Sequence, residues 1–213
     1  MTLTEAVNAC LRGIGLRPVA SYNDTNLNAA MALATLNTES RAVQGRGWWF
    51  NEEGGWFLTP DSNGEIKVPN NALSITTWNG SSSKTITIRG GKLYNTLTHS
   101  TIMTDSVGSN GTIEVRMIVE LPFEDLPPTA QDYIKDKAVR KFAQDIDGDV
   151  NKWKFNSTDE AESKALLYSE ETSNTKRNAS QNPATAHFLA RVGGVNSGYG
   201  LSNSLFWEKG RQQ

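Results

Sequence analysis

Cysteine, histidine and long apolar runs are almost missing from this chain of 213 residues. The lone cysteine, Cys10, excludes an internal disulfide. It sits among Ala6, Val7, Leu11 and Ile14 and reads as a small core residue, with cytosolic folding the simplest setting. The two histidines, His99 and His187, lie far apart, and no H-x-x-x-H or C-x-x-C spacing occurs, which argues against a zinc site. No window approaches the ~18 consecutive apolar residues of a membrane span. The opening Met1-Thr2-Leu3-Thr4-Glu5 has no basic region followed by an apolar stretch of signal length.

Charge of one sign is lacking too. The 21 lysines and arginines nearly balance the 23 acids, giving a net charge of -2, so the basic footprint of a nucleic-acid binder is absent. Only the final stretch leans positive, with Arg191, Lys209 and Arg211 against Glu208. An apolar fraction of 37 % and a mean hydropathy of -0.48 are polar for a globular enzyme. They are not low enough for a disordered chain.

Catalytic signatures are equally scarce. There is no G-x-S-x-G elbow, no phosphate loop and no supported Ser-His-Asp set. Gly45-Arg46-Gly47 and Val192-Gly193-Gly194 lack the flanking strand and helix of a nucleotide site. Two acid pairs, Glu52-Glu53 and Glu124-Asp125, are candidates for glycoside hydrolysis, which needs carboxyls roughly 5–10 Å apart. Glu124-Asp125 precedes a helix, where acids favour the dipole. The reading is a protein with no catalytic residue, no cofactor and no metal.

Helical grammar opens the chain. Leu3, Val7, Cys10, Leu11 and Ile14 recur at helical spacing over residues 4–15, with Thr2 or Thr4 as cap. A second helix is expected from Asn26 to about Val43, with Leu27, Ala30, Met31, Ala34 and Thr38 on its buried stripe, ended by Gly45 and Gly47. From Trp48 to about Pro122, β-rich runs alternate with turns. They are 55–58, 65–68, 72–78, 84–89, 92–94 and 112–121. Asn79-Gly80, Arg89-Gly90-Gly91-Lys92 and Asn110-Gly111 are hairpin signals. Thr129 to about Ile146 reads as a third helix with Ile134, Ala138, Phe142 and Ile146 inward, beside Tyr133 and Val139. Ser157-Thr158-Asp159-Glu160 reads as the capping box of a fourth, with Ala161, Ala165 and Tyr168 inward.

The expected fold class is α+β. Helices at 1–47 and 125–171 form one bundle, an antiparallel β domain at 48–124 is inserted between them, and 172–213 forms an extended C-terminal arm. The arm is rich in Asn, Ser, Thr and Gly but carries Phe188-Leu189, Tyr199 and Leu205-Phe206-Trp207, so it reads as a segment that orders on a partner. Arg46-Gly47-Trp48-Trp49-Phe50-Asn51 is the most unusual cluster. On an extended chain Trp48 and Phe50 share the core side and Trp49 faces outward. Arg46, Trp49, Phe188, Phe206 and Trp207 are therefore the candidate interface residues.

Several stretches, in order, resemble one family. Ala6-Val7-Asn8, Leu11, Ile14-Gly15 and Pro18-Val19 are similar to the opening helix and turn of tail tubular protein A of short-tailed phages. Gln44, Arg46-Gly47-Trp48 and Phe50-Asn51 resemble its R-G-W-x-F-N turn. Ile88-Arg89-Gly90-Gly91 with Tyr94 resembles its hairpin. Phe123-Glu124-Asp125-Leu126-Pro127, then Tyr133-Ile134, Lys137-Ala138, Arg140 and Phe142, resemble its third helix. The resemblance covers roughly residues 5–145 and stops short of the arm.

It implies a virion tail protein, made in the host bacterial cytoplasm, that forms a dodecameric adaptor or gatekeeper ring. Such a ring joins the portal protein to the nozzle, tail tubular protein B. Tail fibres dock at the seam and DNA passes through the lumen without sequence-specific binding. Two other readings compete. One is a tail-associated polysaccharide-degrading enzyme using Glu52 and Glu53. The other is a carbohydrate-binding module using Trp49, Trp56 or Trp78.

Overall fold

A computed structural model describes residues 1–23, 25–78, 85–146 and 150–175. The chain divides into two compact units, Met1–Glu171 and Thr172–Gln213. Of the second, only the end of a helix is described, so Phe188, Phe206, Trp207 and the expected arm lie outside the described residues.

The helices are α1 (Leu3–Gly13), α2 (Leu27–Gln44), α3 (Pro128–Ile146) and α4 (Val150–Thr175). The strands are β1 (Glu52–Leu58), β2 (Ala72–Thr77), β3 (Ile86–Arg89), β4 (Lys92–Asn95) and β5 (Ile113–Val119). Together they make the α+β fold. Helix α1 starts as its sequence dictates. The Thr2 hydroxyl accepts from Glu5 N while Glu5 accepts from Thr2 N, a complete capping box.

Helices from both ends of the unit share one hydrophobic core. It contains Val7, Cys10 and Leu11 of α1, Ala29, Ala32, Leu36 and Val43 of α2, Ile134, Ala138 and Phe142 of α3, and Leu167 of α4. A second core lies in the β region and contains Ile66, Ile75, Ile86, Leu93, Met103, Val115 and Met117. Strands β1, β5 and β2 form an antiparallel sheet in that order, and β3 and β4 form a separate hairpin. In β5, alternation puts Ile113, Val115, Met117 and Val119 inward. The β3–β4 turn is the expected Gly90-Gly91, both at positive φ. Leu121 packs against both cores.

Six expectations need correction. The buried face of α2 is Ala29, Ala32, Leu36, Ser40, Val43 and Gln44. Leu27 and Met31 are 73 % and 41 % exposed, and Ala30, Ala34 and Thr38 are exposed as well. Alanine on every side of the helix leaves the phase of its stripe undetermined; Leu36 and Val43 set it. In α3, Ile146 is exposed at the C-terminal end while the rest of its stripe is buried. Ser157 lies inside α4, whose first residue is Val150, because extending an existing helix costs far less than nucleating a new one. Among the described side chains of α4, Ser163 and Leu167 are buried, while Ala161 and Ala165 are exposed. Residues 65–68 make isolated bridges and no strand, and Asn110-Gly111 closes a turn before β5 with no strand on its other side. Asn79-Gly80 lies outside the described residues.

Candidate functional site: the aromatic seam between the two cores

The segment after α2 is a tight turn, so the alternation expected of an extended chain does not apply. Asn51 N and Glu52 N both donate to Trp48 O, at 3.1 and 2.9 Å. Gly47 has φ +79, and a Cβ there would lie 2.8 Å from Ile118 Cδ1. Only glycine satisfies both the backbone and the close approach of β5.

Two buried amides knit the turn to the end of β5. Asn51 Nδ2 donates to Gln44 O at 3.0 Å and to Val119 O at 2.9 Å, while its Oδ1 accepts from Trp48 N at 2.9 Å. Gln44 accepts from Leu121 N at 2.8 Å and donates to Leu121 O at 3.0 Å, imitating a strand partner. Its Nε2 also donates to Ser40 Oγ at 3.0 Å. Both amides are fully buried. Burying an amide without partners costs ~1–3 kcal/mol, and these make the bonds that remove that cost. Asn8 clamps Val19 in the same way, at 2.8 and 2.9 Å. The side-chain amide of Gln131 donates to Phe123 O at 3.0 Å.

The aromatic residues pack on this frame. Trp48 is buried and its indole N–H donates to Val43 O at 2.7 Å. Phe50 lies parallel to it at 6.4 Å, and Tyr168 of α4 meets it edge-on at 5.2 Å. Trp49 does not face solvent freely. It is half-buried against the helical core, edge-on to Phe50 at 5.0 Å, and its backbone N–H donates to the Glu171 carboxylate at 3.0 Å. Arg46 stays exposed, but its guanidinium stacks 4.7 Å from the Tyr168 ring centre and 5.6 Å from Trp48. Of the sequence candidates, the turn thus brings Arg46 and Trp49 together on one side of α4. Sequence reading missed Gln44 and Asn51 as the residues that hold the site. Their signal was their place on either side of the buried Trp48, Asn51 closing the R-G-W-x-F-N stretch and Gln44 two residues before it.

Charged contacts tie α3 to α4 and to α2. Arg140 pairs with Glu160, Lys137 with Glu39 at 2.8 Å, and Thr129 donates to Glu170. Burial pushes the Tyr133 hydroxyl above its ordinary value, and the Glu160 carboxylate adds to the shift.

Glu52 and Glu53 are not assembled as a pair. Adjacent residues of a strand point to opposite faces, so Glu52 and Glu53 diverge. Glu52 pairs with Arg116 at 2.9 Å and Glu53 accepts the Trp56 indole N–H at 2.9 Å. Among the described residues no cluster of three or more His, Cys, Asp or Glu is placed to hold a metal ion, and no helix is long and apolar enough to cross a membrane.

Buried amides and aromatic packing weld the two cores at this seam. The chain belongs to the tail tubular protein family, whose model matches residues 4–177, and it is a structural component of the phage virion tail. A comparison with curated proteins gives no match.

Proposed function

We propose that the protein is the ring-forming adaptor subunit that joins the portal to the tail nozzle and contributes to the DNA ejection channel. The observation that carries this reading is the family match, which runs through the helical core, the seam and the β core. In this proposal residues 1–47 and 125–171 form the helical domain, 48–124 the β domain and 172–213 the arm. The ring has twelve subunits, as the resemblance implies. One domain meets the portal and the other meets tail tubular protein B, with tail fibres at the seam. The subunit has no enzymatic role and is made in the bacterial cytoplasm. Arg46, Trp49, Phe188, Phe206 and Trp207 are the contact residues.

Physical features support this. A ring needs head-to-tail interfaces, in which two different patches of one subunit meet in neighbouring copies. The outward face of α2, with Leu27, Ala30, Met31 and Ala34, carries no charge over three turns. Alanines let a second helix approach closely, while Leu27 and Met31 supply apolar area. A channel for DNA avoids strong positive charge, which would trap phosphates, and the net charge of -2 is compatible with that.

The test is the mass of the purified chain by light scattering, alone and mixed with its portal. A large discrete assembly in either sample, seen as a ring by electron microscopy, is the expected result. A monomer in both samples, at concentrations where the portal itself is assembled, removes the adaptor reading.

A further inference from the structure

Strand β1 is an edge of the sheet β1–β5–β2. One side of it pairs with β5, from Glu52 opposite Ile118 to Leu58 opposite Ile113. In an antiparallel ladder every second residue turns its N–H and C=O away from the partner strand. Among the described residues, no group bonds to the main chain of Trp56, Phe57 and Leu58 on that open side. Natural edges are blunted by lysine, proline or a bulge. A bulge does interrupt β1 at Gly54-Gly55, but Trp56-Phe57-Leu58 beyond it carries no charge and no proline. Pro60 ends the stretch.

The two faces of this edge differ. Residues paired across strands share a face of the sheet. Trp56 lies opposite Val115 and Leu58 opposite Ile113, both inward residues of β5, so these two sit on the core side. Trp56 is still 45 % exposed, since none of the described strands lies beyond it. Phe57 lies opposite Glu114 on the outward side and is 59 % exposed. That side carries Glu52 and Glu114 against Arg116. The occupant that fits is an extended polypeptide, apolar at alternate positions on one side and basic on the other.

The chain itself holds such a segment. Residues 172–213 contain five of the 21 lysines and arginines and one of the 23 acids, a net charge of +4, which leaves -6 on residues 1–171. Within that basic stretch, His187-Phe188-Leu189-Ala190-Arg191-Val192 places Phe188, Ala190 and Val192 on one side of an extended chain and His187, Leu189 and Arg191 on the other. Pro183 before it and Gly193-Gly194 after it are strand boundaries. We propose that residues 187–192 of a neighbouring copy add to β1 as a fourth strand of the sheet. Phe188, Ala190 and Val192 then extend the β core past Trp56 and Leu58, and Arg191 meets the acidic outward side beside Phe57. The main chain of the segment satisfies the open N–H and C=O groups, which a polypeptide strand matches at that spacing. Edge and segment are two different patches of one subunit, so the contact is head-to-tail and can close a ring. Pairing of β1 with β1 of a second copy would join two copies only. The inference rests on the adaptor reading for the choice of a neighbouring copy over another partner.

The experiment places photoreactive benzoylphenylalanine at Phe57 of the full chain and mixes isotope-labelled with unlabelled protein, alone and with the portal. After illumination, mass spectrometry maps the adducts. Adducts that join labelled to unlabelled chains at residues 187–192 are the expected result. Phe188→Glu together with Val192→Glu should lower their yield about tenfold or more, by placing carboxylates against the β core. Phe206→Glu should leave the yield unchanged, and circular dichroism confirms that each variant is folded. Adducts confined to one chain, adducts at β1 of a second copy or at the portal, or no adduct in either sample overturn the proposal. Light scattering of the same samples separates the two readings. A ring without these adducts overturns the strand pairing alone, whereas adducts without a ring keep the pairing and remove the adaptor reading.

Discussion

Gln44 and Asn51, the last residue of α2 and the residue before β1, are joined by a 3.0 Å hydrogen bond from the Asn51 amide to the Gln44 carbonyl, with both side chains wholly buried. Through this bond the helical core and the β sheet share one rigid joint. Asn51 reaches Val119 at the end of β5, and Gln44 reaches Leu121 just beyond it. The polar atoms sit where two apolar cores meet, so they specify the angle of that meeting as apolar side chains alone cannot.

Replacing Asn51 with Ala strands Trp48 N and Val119 O, both at the buried joint, so a loss of about 2–4 kcal/mol is expected by urea unfolding. Asn51→Asp should cost more at neutral pH. It replaces the donor N–H2, which faces the carbonyls of Gln44 and Val119, with a carboxylate oxygen. An Asp variant as stable as wild type would mean that the joint carries no strain-free hydrogen-bond requirement.

Gly47 should be irreplaceable for two separable reasons. Its φ of +79 costs other residues ~1–2 kcal/mol, and an added Cβ meets Ile118 Cδ1 at 2.8 Å. Gly47→Ala is expected to lose about 2–4 kcal/mol. Ile118→Val removes the methyl at fault, so the double variant should lose roughly 1 kcal/mol less than the sum of the singles. Strict additivity in that cycle would assign the whole cost to the backbone.

These joints show where the sequence was legible. Helix α1 was readable because its apolar spacing, its Thr2 cap and its Glu5 partner all agree. Strand β5 was readable because it alternates strictly between two faces. The phase of α2 was not. Its buried face includes Ser40 and Gln44; Gln44 is tolerated inside because Leu121, far along the chain, supplies its backbone partner, and Gln44 in turn donates to Ser40. The start of α4 was misplaced because a local capping pattern carries no information about whether the chain before it is already helical. The open edge at Trp56 and Phe57 depends on strand order, which no local pattern reveals.

Alkaline pH should destabilise the fold through Cys10. Burial pushes its thiol from 9.0 up to about 12. The folded-state value is raised, so the contribution is complete below pH 9.0 and is lost as pH climbs from 9.0 toward about 12, where the unfolded chain ionises and the folded one does not. Tyr133 acts with the same sign above its ordinary value of about 10. The urea midpoint should therefore fall more steeply between about pH 8 and about pH 10.5 in wild type than in Cys10→Ala. Equal slopes would show that the thiol is not the group responsible.

The outward face of α2 offers the sharpest test of assembly. Met31 and Ala30 are exposed, so Met31→Glu and Ala30→Glu should leave the unfolding midpoint within about 0.5 kcal/mol of wild type, as surface changes do. If this uncharged face packs against a neighbouring subunit, either substitution buries an unpaired carboxylate there, and the cost of that desolvation should abolish the assembly. Light scattering of each variant mixed with the portal should then report the free subunit, while Glu162→Gln, on the exposed side of α4, serves as a control that assembles normally. Assembly that survives both acidic substitutions would mean that α2 faces solvent in the tail. The subunit contacts would then have to be sought on the β side or in the residues after 175.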